Sequence, residues 1–329
     1  MCTSLSYEAL DGTKFLARTM DFAFELNGKP TFLPRGYNWL SSLDNKTYNS
    51  SYAILGTGAK YGHNYMVADG FNEHGLACAE LYFDHEAVYE AAPEEGKINL
   101  VSEEFILWVL GHNKSIAELR KNLEDVRIID SDAGVMGANQ PLHWIVTDRT
   151  GATYVIEPRG QGLELEEDKV GVMTNTPDYQ WHKTNLSNYL GVQTTNFQGM
   201  KFGNQEVEKL GQNGTFRLPG GFTAVDRFVR ESFVHEVVQK PNTASEAVNT
   251  IMHMFDTVRI PKGVNVKDNN TISYTQYEAV LDITNCVMYY TPYSNRTVYK
   301  IELTPEMINS GIEPKEFSVD FEQQVKSLN

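Results

Sequence analysis

The sequence predicts an α+β fold. Strand-like runs fill the first third, two pairs of helices follow with a hairpin between them, and alternating β-branched and aromatic residues return near the C-terminal end. This order suits two helical layers enclosing stacked sheets. A doubly wound parallel sheet would instead alternate strand and helix regularly. With 329 residues, 41% of them hydrophobic and 22% charged, the chain has ordinary globular composition and ample length to bury a core.

Thr3–Tyr7 and Thr13–Met20 read as paired strands, turned by Asp11-Gly12. Further β-like runs lie at Ser51–Gly56 and Gly75–Phe83. The segment Gly56-Thr57-Gly58-Ala59-Lys60-Tyr61-Gly62 misses the dinucleotide-binding spacing and lacks a surrounding βαβ unit, so it reads as a turn. Helices are expected over Ile98–Gly111 and from Ser115, where Ser115-Ile116-Ala117-Glu118 forms a capping box for the unpaired N–H groups of the first turn. Leu142–Thr147 and Thr153–Glu157 flank Asp148-Arg149-Thr150-Gly151-Ala152 as a hairpin. Helices follow from Thr223 to about Val238 and from Thr243 to about Val258, the second opened by the box Thr243-Ala244-Ser245-Glu246. Strands return over Tyr274–Ile283, Val287–Pro292 and Thr297–Leu303. Between Asn188 and Gly221 lies a long polar excursion dotted with Gly and Asn, which reads as a mobile loop or a segment ordered by a partner.

The chemistry begins at Cys2. Removing Met1 would place a thiol and a free α-amine on one residue, and the amine could then serve as the thiol's own base. Cys2 taken alone equally suits a small apolar residue opening a strand. The run Phe15-Leu16-Ala17-Arg18-Thr19-Met20-Asp21-Phe22 adds Arg18 and Asp21 to an otherwise apolar strand, which the hairpin returns to the side of Cys2. A guanidinium there would favour a thiolate, and a carboxylate would hold the α-ammonium or take its proton. An exposed arginine and a turn aspartate at a strand end would carry the same letters.

Other chemistries lack their motifs. There is no Gly-x-Ser-x-Gly elbow, no His-Glu-x-x-His and no Walker loop. His63, His74 and His85 are too widely spaced for a compact metal cluster, and no metal site is expected. The net charge of −15, without a Lys/Arg cluster, argues against nucleic acid and anionic membrane as partners. The 3 cysteines, Cys2, Cys78 and Cys286, form no Cys-x-x-Cys and point to a reducing compartment. No secretory leader and no apolar run of ~18 residues is present, so a cytoplasmic location is expected and the Asn-x-Ser/Thr sequons carry no meaning.

Met1-Cys2-Thr3-Ser4, the Phe15 to Phe22 segment and Asn72-Glu73-His74-Gly75-Leu76 together resemble the choloylglycine hydrolase family, which holds bile salt hydrolases and penicillin V acylases. Gly171-Val172-Met173-Thr174-Asn175-Thr176-Pro177 resembles its asparagine segment. Leu218-Pro219-Gly220-Gly221-Phe222-Thr223, running into Asp226-Arg227-Phe228, resembles its late arginine segment. The matches keep their order from residue 1 to about 300 and span essentially the whole chain.

The resemblance implies a four-layer αββα sandwich of the N-terminal-nucleophile type, a single domain over 1–329, and an assembly excursion at about 188–221 within a homotetramer. It implies Cys2 as nucleophile, Arg18 and Asp21 setting its ionisation, Asn175 as oxyanion donor, and Arg227 as a second cation near the thiol. It implies no cofactor and a small-molecule amide as substrate. At the second oxyanion position the chain has Ala79-Glu80-Leu81-Tyr82-Phe83, where many bile salt hydrolases carry an asparagine. Tyr82 there, and the run Pro177 to Leu186, resemble the penicillin V acylases, and the backbone N–H of Tyr82 can still serve an oxyanion.

The expected activity is therefore cysteine amidohydrolysis of the phenoxyacetyl amide of penicillin V through a Cys2 thioester. Conjugated bile salts and N-acyl homoserine lactones are the alternative substrates. A non-catalytic ligand-binding relative is the reading from another class, and the intact nucleophile set argues against it. Of the 17 tyrosines and 16 phenylalanines most must be core, and Phe22, Phe24, Tyr61, Tyr65 and Tyr82 are expected around an apolar acyl pocket.

Overall fold

Gly12, at φ +85°, makes the reversal that folds strand Cys2–Glu8 back on Lys14–Phe22, pairing Cys2 with Met20 and Ser4 with Arg18. A side chain on such a residue would strain the turn. This hairpin seeds the first of two large sheets. The structure, a computed structural model, describes residues 1–134, 137, 139–160, 162–309, 311 and 313–329.

The first sheet runs in the order Val172–Met173, Cys2–Glu8, Lys14–Phe22, Ile272–Asp282, Val287–Pro292 and Tyr299–Glu302, with Asn265–Val266 also pairing Ile272–Asp282. The second runs Leu165–Glu167, Thr153–Ile156, Leu142–Thr147, Ala77–Tyr82, Asn64–Asn72, Ile54–Tyr61, Lys29–Leu33 and Lys315–Glu316. Every pairing in both is antiparallel.

The central strands of the second sheet are buried on both faces, and their two-residue period sorts side chains between two cores. Ala77, Ala79 and Leu81 join Leu16, Met20 and Leu281 between the sheets. Cys78, Trp144 and Val146 face outward onto Trp108 and Leu119. Helix Phe105–His112 is buried almost all round, as its unbroken apolar sequence requires, and covers that outer face with Ile116–Asn122. Helices Ala224–Val237 and Ala244–Asp256 cover the outer face of the first sheet. Ala247, Val248, Ile251, Met254 and Phe255 form the buried stripe of the second of these. The result is a four-layer αββα sandwich.

The caps read from the sequence at Ser115 and Thr243 form as expected, and Thr223 adds a third. Ser115, Thr223 and Thr243 each accept the backbone N–H three residues on, from Glu118, Asp226 and Glu246. Each such cap contributes ~1 kcal/mol to its helix. The Leu142–Thr147 and Thr153–Ile156 hairpin also forms.

Two expectations fail. Residues Gly56 to Tyr61 are strand, not turn, and only Gly62 with its φ of +57° reverses the chain. Their glycines answer close approach: a Cβ on Gly56 would lie 2.1 Å from Asp69 O, and one on Gly58 2.4 Å from Met66 O. The expected helix over Ile98–Gly111 is a strand, Ile98–Leu100, then a turn of 3-10 helix, then an α-helix from Phe105. Ile98–Leu100 pairs in parallel with Val126–Ile128, a partner too distant in sequence for a local pattern to reveal.

Residues 188–221 run over the surface and carry a hairpin, Met200–Phe202 with Gln205–Val207. Leu190, Met200, Phe202, Leu210 and Phe216 on this excursion are exposed. Among the described residues no helix is long and apolar enough to cross a membrane.

Candidate active site

The hairpin register decides which groups share a face. Cys2 and Ser4 lie opposite Met20 and Arg18, so these four side chains point inward to the second sheet, while Thr3, Thr19 and Asp21 point outward to the helices. Arg18 and Asp21, three positions apart in the sequence, therefore act on opposite sides of Cys2.

On the inner side Arg18 Nη2 donates to Cys2 Sγ at 2.8 Å. Its Nη1 reaches Ala68 O at 3.2 Å and Asp69 Oδ2 at 3.4 Å, and its Nε bonds Thr19 O at 3.2 Å. Arg18 and Asp69 are both 0% exposed, so their pairing is unscreened by solvent. Asp69 Oδ2 also accepts from Tyr277 OH at 2.6 Å, and its Oδ1 from Thr57 N at 3.3 Å. Burial opposes the Arg18 charge, but Cys2, Tyr277 and Asp69 outweigh it and raise the guanidinium above the usual arginine range.

On the outer side Arg227, from helix Ala224–Val237, donates to Cys2 O, to Thr3 Oγ1 at 2.6 Å and to Asn175 Oδ1 at 2.8 Å. It lies 3.8 Å from Asp21 Oδ2. Burial lowers its pKa, with Asp21 and Cys2 opposing. Arg227 hydrogen-bonds the Cys2 carbonyl, approaching the strand from the helix layer. The Asp21 carboxylate accepts from Thr275 Oγ1 and from Thr19 Oγ1, while its backbone carbonyl takes the Met1 ammonium at 2.6 Å. The nitrogen of Cys2 faces Asn175 Oδ1 at 2.6 Å and not the Asp21 carboxylate.

Asn175 Oδ1 accepts from both Cys2 N and Arg227 Nη2, which fixes its amide orientation and makes Nδ2 the donor. Nδ2 gives one hydrogen to Tyr82 O at 2.8 Å and keeps a second. In an extended strand the N–H and C=O of one residue point to the same side, so the Tyr82 N–H is directed to this side too. Phe83 N bonds Pro141 O, which makes Tyr82–Leu142 a wide pair and confirms that direction.

Two histidines hold this asparagine segment from behind. His182 Nε2 donates to Asn175 O at 2.8 Å, and His143 Nε2 to Thr174 O at 3.0 Å. His182 stacks on Phe228 and His143 on Phe83, at ring separations of 4.4 Å each. Burial lowers the His182 pKa, with the Asn175 hydrogen bond opposing. His182 belongs to a helix, Tyr179–Asn185, that the sequence reading passed over although Asp178 caps it by accepting from Trp181 N.

A mostly apolar cavity of ≈ 810 Å³, counted to its open mouth, begins at Cys2 and Met20. Phe22, Phe24, Tyr61 and Tyr82 line it as expected, together with Met66 and Leu142. Tyr65 does not. Its ring turns to Tyr37, and its N–H bonds the Tyr37 hydroxyl at 2.6 Å, so the neighbouring Met66 takes the place at the wall. Asp69, Tyr277, Glu80, His143 and His182 are the groups that the sequence reading missed. The charges in the otherwise apolar strands Asn64–Asn72 and Ala77–Tyr82 were the available signal for Asp69 and Glu80.

A cysteine at the head of a strand, held between two buried arginines inside an αββα sandwich, defines an N-terminal-nucleophile hydrolase. The family model described as linear amide C-N hydrolases, choloylglycine hydrolase family, matches residues 2–316, and the chain belongs to that family. It is 31% identical to a bile salt hydrolase/transferase of Clostridium perfringens over 100% of both chains. A solved conjugated bile acid hydrolase of Clostridium perfringens superposes with a TM-score of 0.92 at 29% identity, covering 100% of both chains. A penicillin V acylase of Pectobacterium atrosepticum is 25% identical over 71% of this chain and 62% of its own. The chain is thus a cysteine hydrolase of linear amides.

Proposed function

We propose that the chain hydrolyses conjugated bile salts, and that the penicillin V reading drawn from Tyr82 takes second place. The full-length similarity to a bile salt hydrolase/transferase carries this reading, against a penicillin V acylase matched over only part of its length. The cavity supports it physically. Its lining is mostly apolar, as an apolar acyl group requires. The Tyr82 ring packs edge-on to Phe22 at 5.7 Å, along a wall that Leu142 and Glu103 also line.

In the proposed mechanism Met1 is removed and the Cys2 thiolate, hydrogen-bonded by Arg18, attacks the amide carbonyl. The second Asn175 Nδ2 hydrogen and the Tyr82 N–H take the oxyanion. The Cys2 α-amine, placed by Asn175 Oδ1 and the Asp21 side of the strand, passes a proton to the departing glycine or taurine nitrogen. Water then cleaves the thioester and releases the bile acid. Arg227 fixes the Cys2 carbonyl and Asn175 at once, keeping nucleophile and oxyanion donor in one frame.

Assay of the processed enzyme with glycocholate, taurocholate, penicillin V and penicillin G tests the substrate. The expected result is a higher kcat/KM for a bile salt than for either penicillin, and complete loss of turnover in a folded Cys2→Ala variant. A clear preference for penicillin V would restore the Tyr82 reading and leave the cysteine chemistry standing. Turnover surviving in Cys2→Ala would overturn the mechanism itself. We further infer that the excursion at about 188–221 mediates homotetramer assembly, which its exposed Leu190, Met200, Phe202 and Phe216 support. Sedimentation showing a monomer would refute this.

A further inference from the structure

One group in the acyl cavity is out of keeping with its walls. Glu80 lies on the strand Ala77–Tyr82, opposite Trp144, in a run whose other members are small or apolar. Its side chain lines the cavity among Phe22, Met66, Leu81 and Leu142, with Glu103 and Gln140 nearby. The residue as a whole is partly exposed, while its buried Oε2 has no hydrogen-bond partner. A buried polar atom left unpaired is unfavourable, so its retention in a ligand cavity points to a ligand group that satisfies it.

The surroundings select the chemistry of that group. A second carboxylate is disfavoured by Glu103, whose charge, after burial, helps push Glu80 well above the usual carboxylate range. An ammonium is disfavoured by the Arg18 guanidinium, which Glu80 also feels. A hydroxyl both donates and accepts, so it satisfies the carboxyl oxygen whether or not that oxygen carries the proton.

We propose that Glu80 anchors a hydroxyl on the acyl half of the substrate, making the cavity selective for hydroxylated over unhydroxylated apolar acyl groups. This deepens the amide-hydrolase reading and rests on it. A site built to bond a hydroxyl rejects the analogue lacking it, because its own polar group is then left unpaired.

The test uses processed wild type, Glu80→Gln and Glu80→Leu with two pairs of substrates, each pair sharing its leaving amine. One pair is the glycine conjugates of cholic acid and of unhydroxylated cholanic acid, and the other is para-hydroxyphenoxymethyl penicillin and penicillin V. Wild type should prefer the hydroxylated member of the pair it hydrolyses. Glu80→Leu should lower kcat/KM for that member on the order of tenfold more than for the other, chiefly through KM. Glu80→Gln, which keeps a donor and an acceptor, should retain most of the preference. Both members meet the same Cys2 and Arg18, so a disturbance of the nucleophile lowers both alike and leaves their ratio unmoved.

Absence of a hydroxyl preference in wild type overturns the proposal without any variant, as does an unchanged ratio in folded Glu80→Leu. Hydrolysis of the penicillin pair alone overturns the bile salt reading instead. In that event the para-hydroxy pair still decides the role of Glu80.

Discussion

Replacing Asp69 by asparagine should both loosen the fold and misplace the guanidinium that faces Cys2. Asparagine keeps the shape of the side chain but has a single acceptor oxygen, so it can keep Tyr277 OH or Thr57 N but not both, and the substitution removes one acceptor along with the charge. Arg18 cannot shed its own charge. With both side chains 0% exposed, it would be left as an uncompensated buried cation, which costs ~3–5 kcal/mol in comparable broken pairs. The carbonyls of Ala68 and Thr19 remain as acceptors, which places the expected loss at the lower end, about 3 kcal/mol. Urea unfolding followed by fluorescence would read this as a lower midpoint with an unchanged slope. Rates measured on the folded fraction should fall in kcat on the order of tenfold, because Nη2 no longer stays at the sulfur. A stability loss below ~0.5 kcal/mol together with an unaltered kcat would refute the reasoning and assign the positioning of Arg18 to its carbonyl contacts alone.

Removing the donor behind the oxyanion asparagine, by His182→Phe, should lower kcat by roughly tenfold or more with KM little changed, and His182→Gln should recover part of the loss. A change confined to KM would show that Asn175 is placed by Arg227 and Cys2 without help from the histidine. Glu231, buried on helix Ala224–Val237 with its Oε1 unpaired, has its carboxyl raised from 4.5 to about 8 by burial, with Arg230 opposing. A carboxyl raised in this way is harmless to the fold below pH 4.5 and destabilises it increasingly as the pH climbs toward about 8. Glu231→Gln should therefore flatten that decline, worth ~1.4 kcal/mol per pH unit at most, and melt above wild type at pH ~8. Melting curves at pH ~5 and ~8 that shift equally in both proteins would contradict it.

Much of the architecture was legible in the sequence because it rests on local rules. Asp11-Gly12 can turn a hairpin, the Ser115 and Thr243 boxes can open helices, and alternation over Tyr274–Ile283 can form a strand wherever these segments occur. The hairpin also places Arg18 beside Cys2, since a strand register is set by its turn. The site's ordering in the chain, Cys2, Arg18, Asp21, Tyr82, Asn175 and Arg227, was likewise carried by segments that resemble a known family.

What the sequence could not decide is which partner each side chain meets across the sandwich. Arg18 and Asp69 are separated by fifty residues and meet because the two sheets stack. Arg227 reaches the Cys2 carbonyl and not its sulfur because it arrives from the helix layer, and no local pattern encodes that direction. Gly56 and Gly58 read as a turn until Asp69 O and Met66 O are seen pressing on them. Periodicity and capping act over a few residues and are written in order along the chain. Packing between layers joins residues that are distant in sequence, so the face, the partner and the cavity are properties of the folded molecule alone.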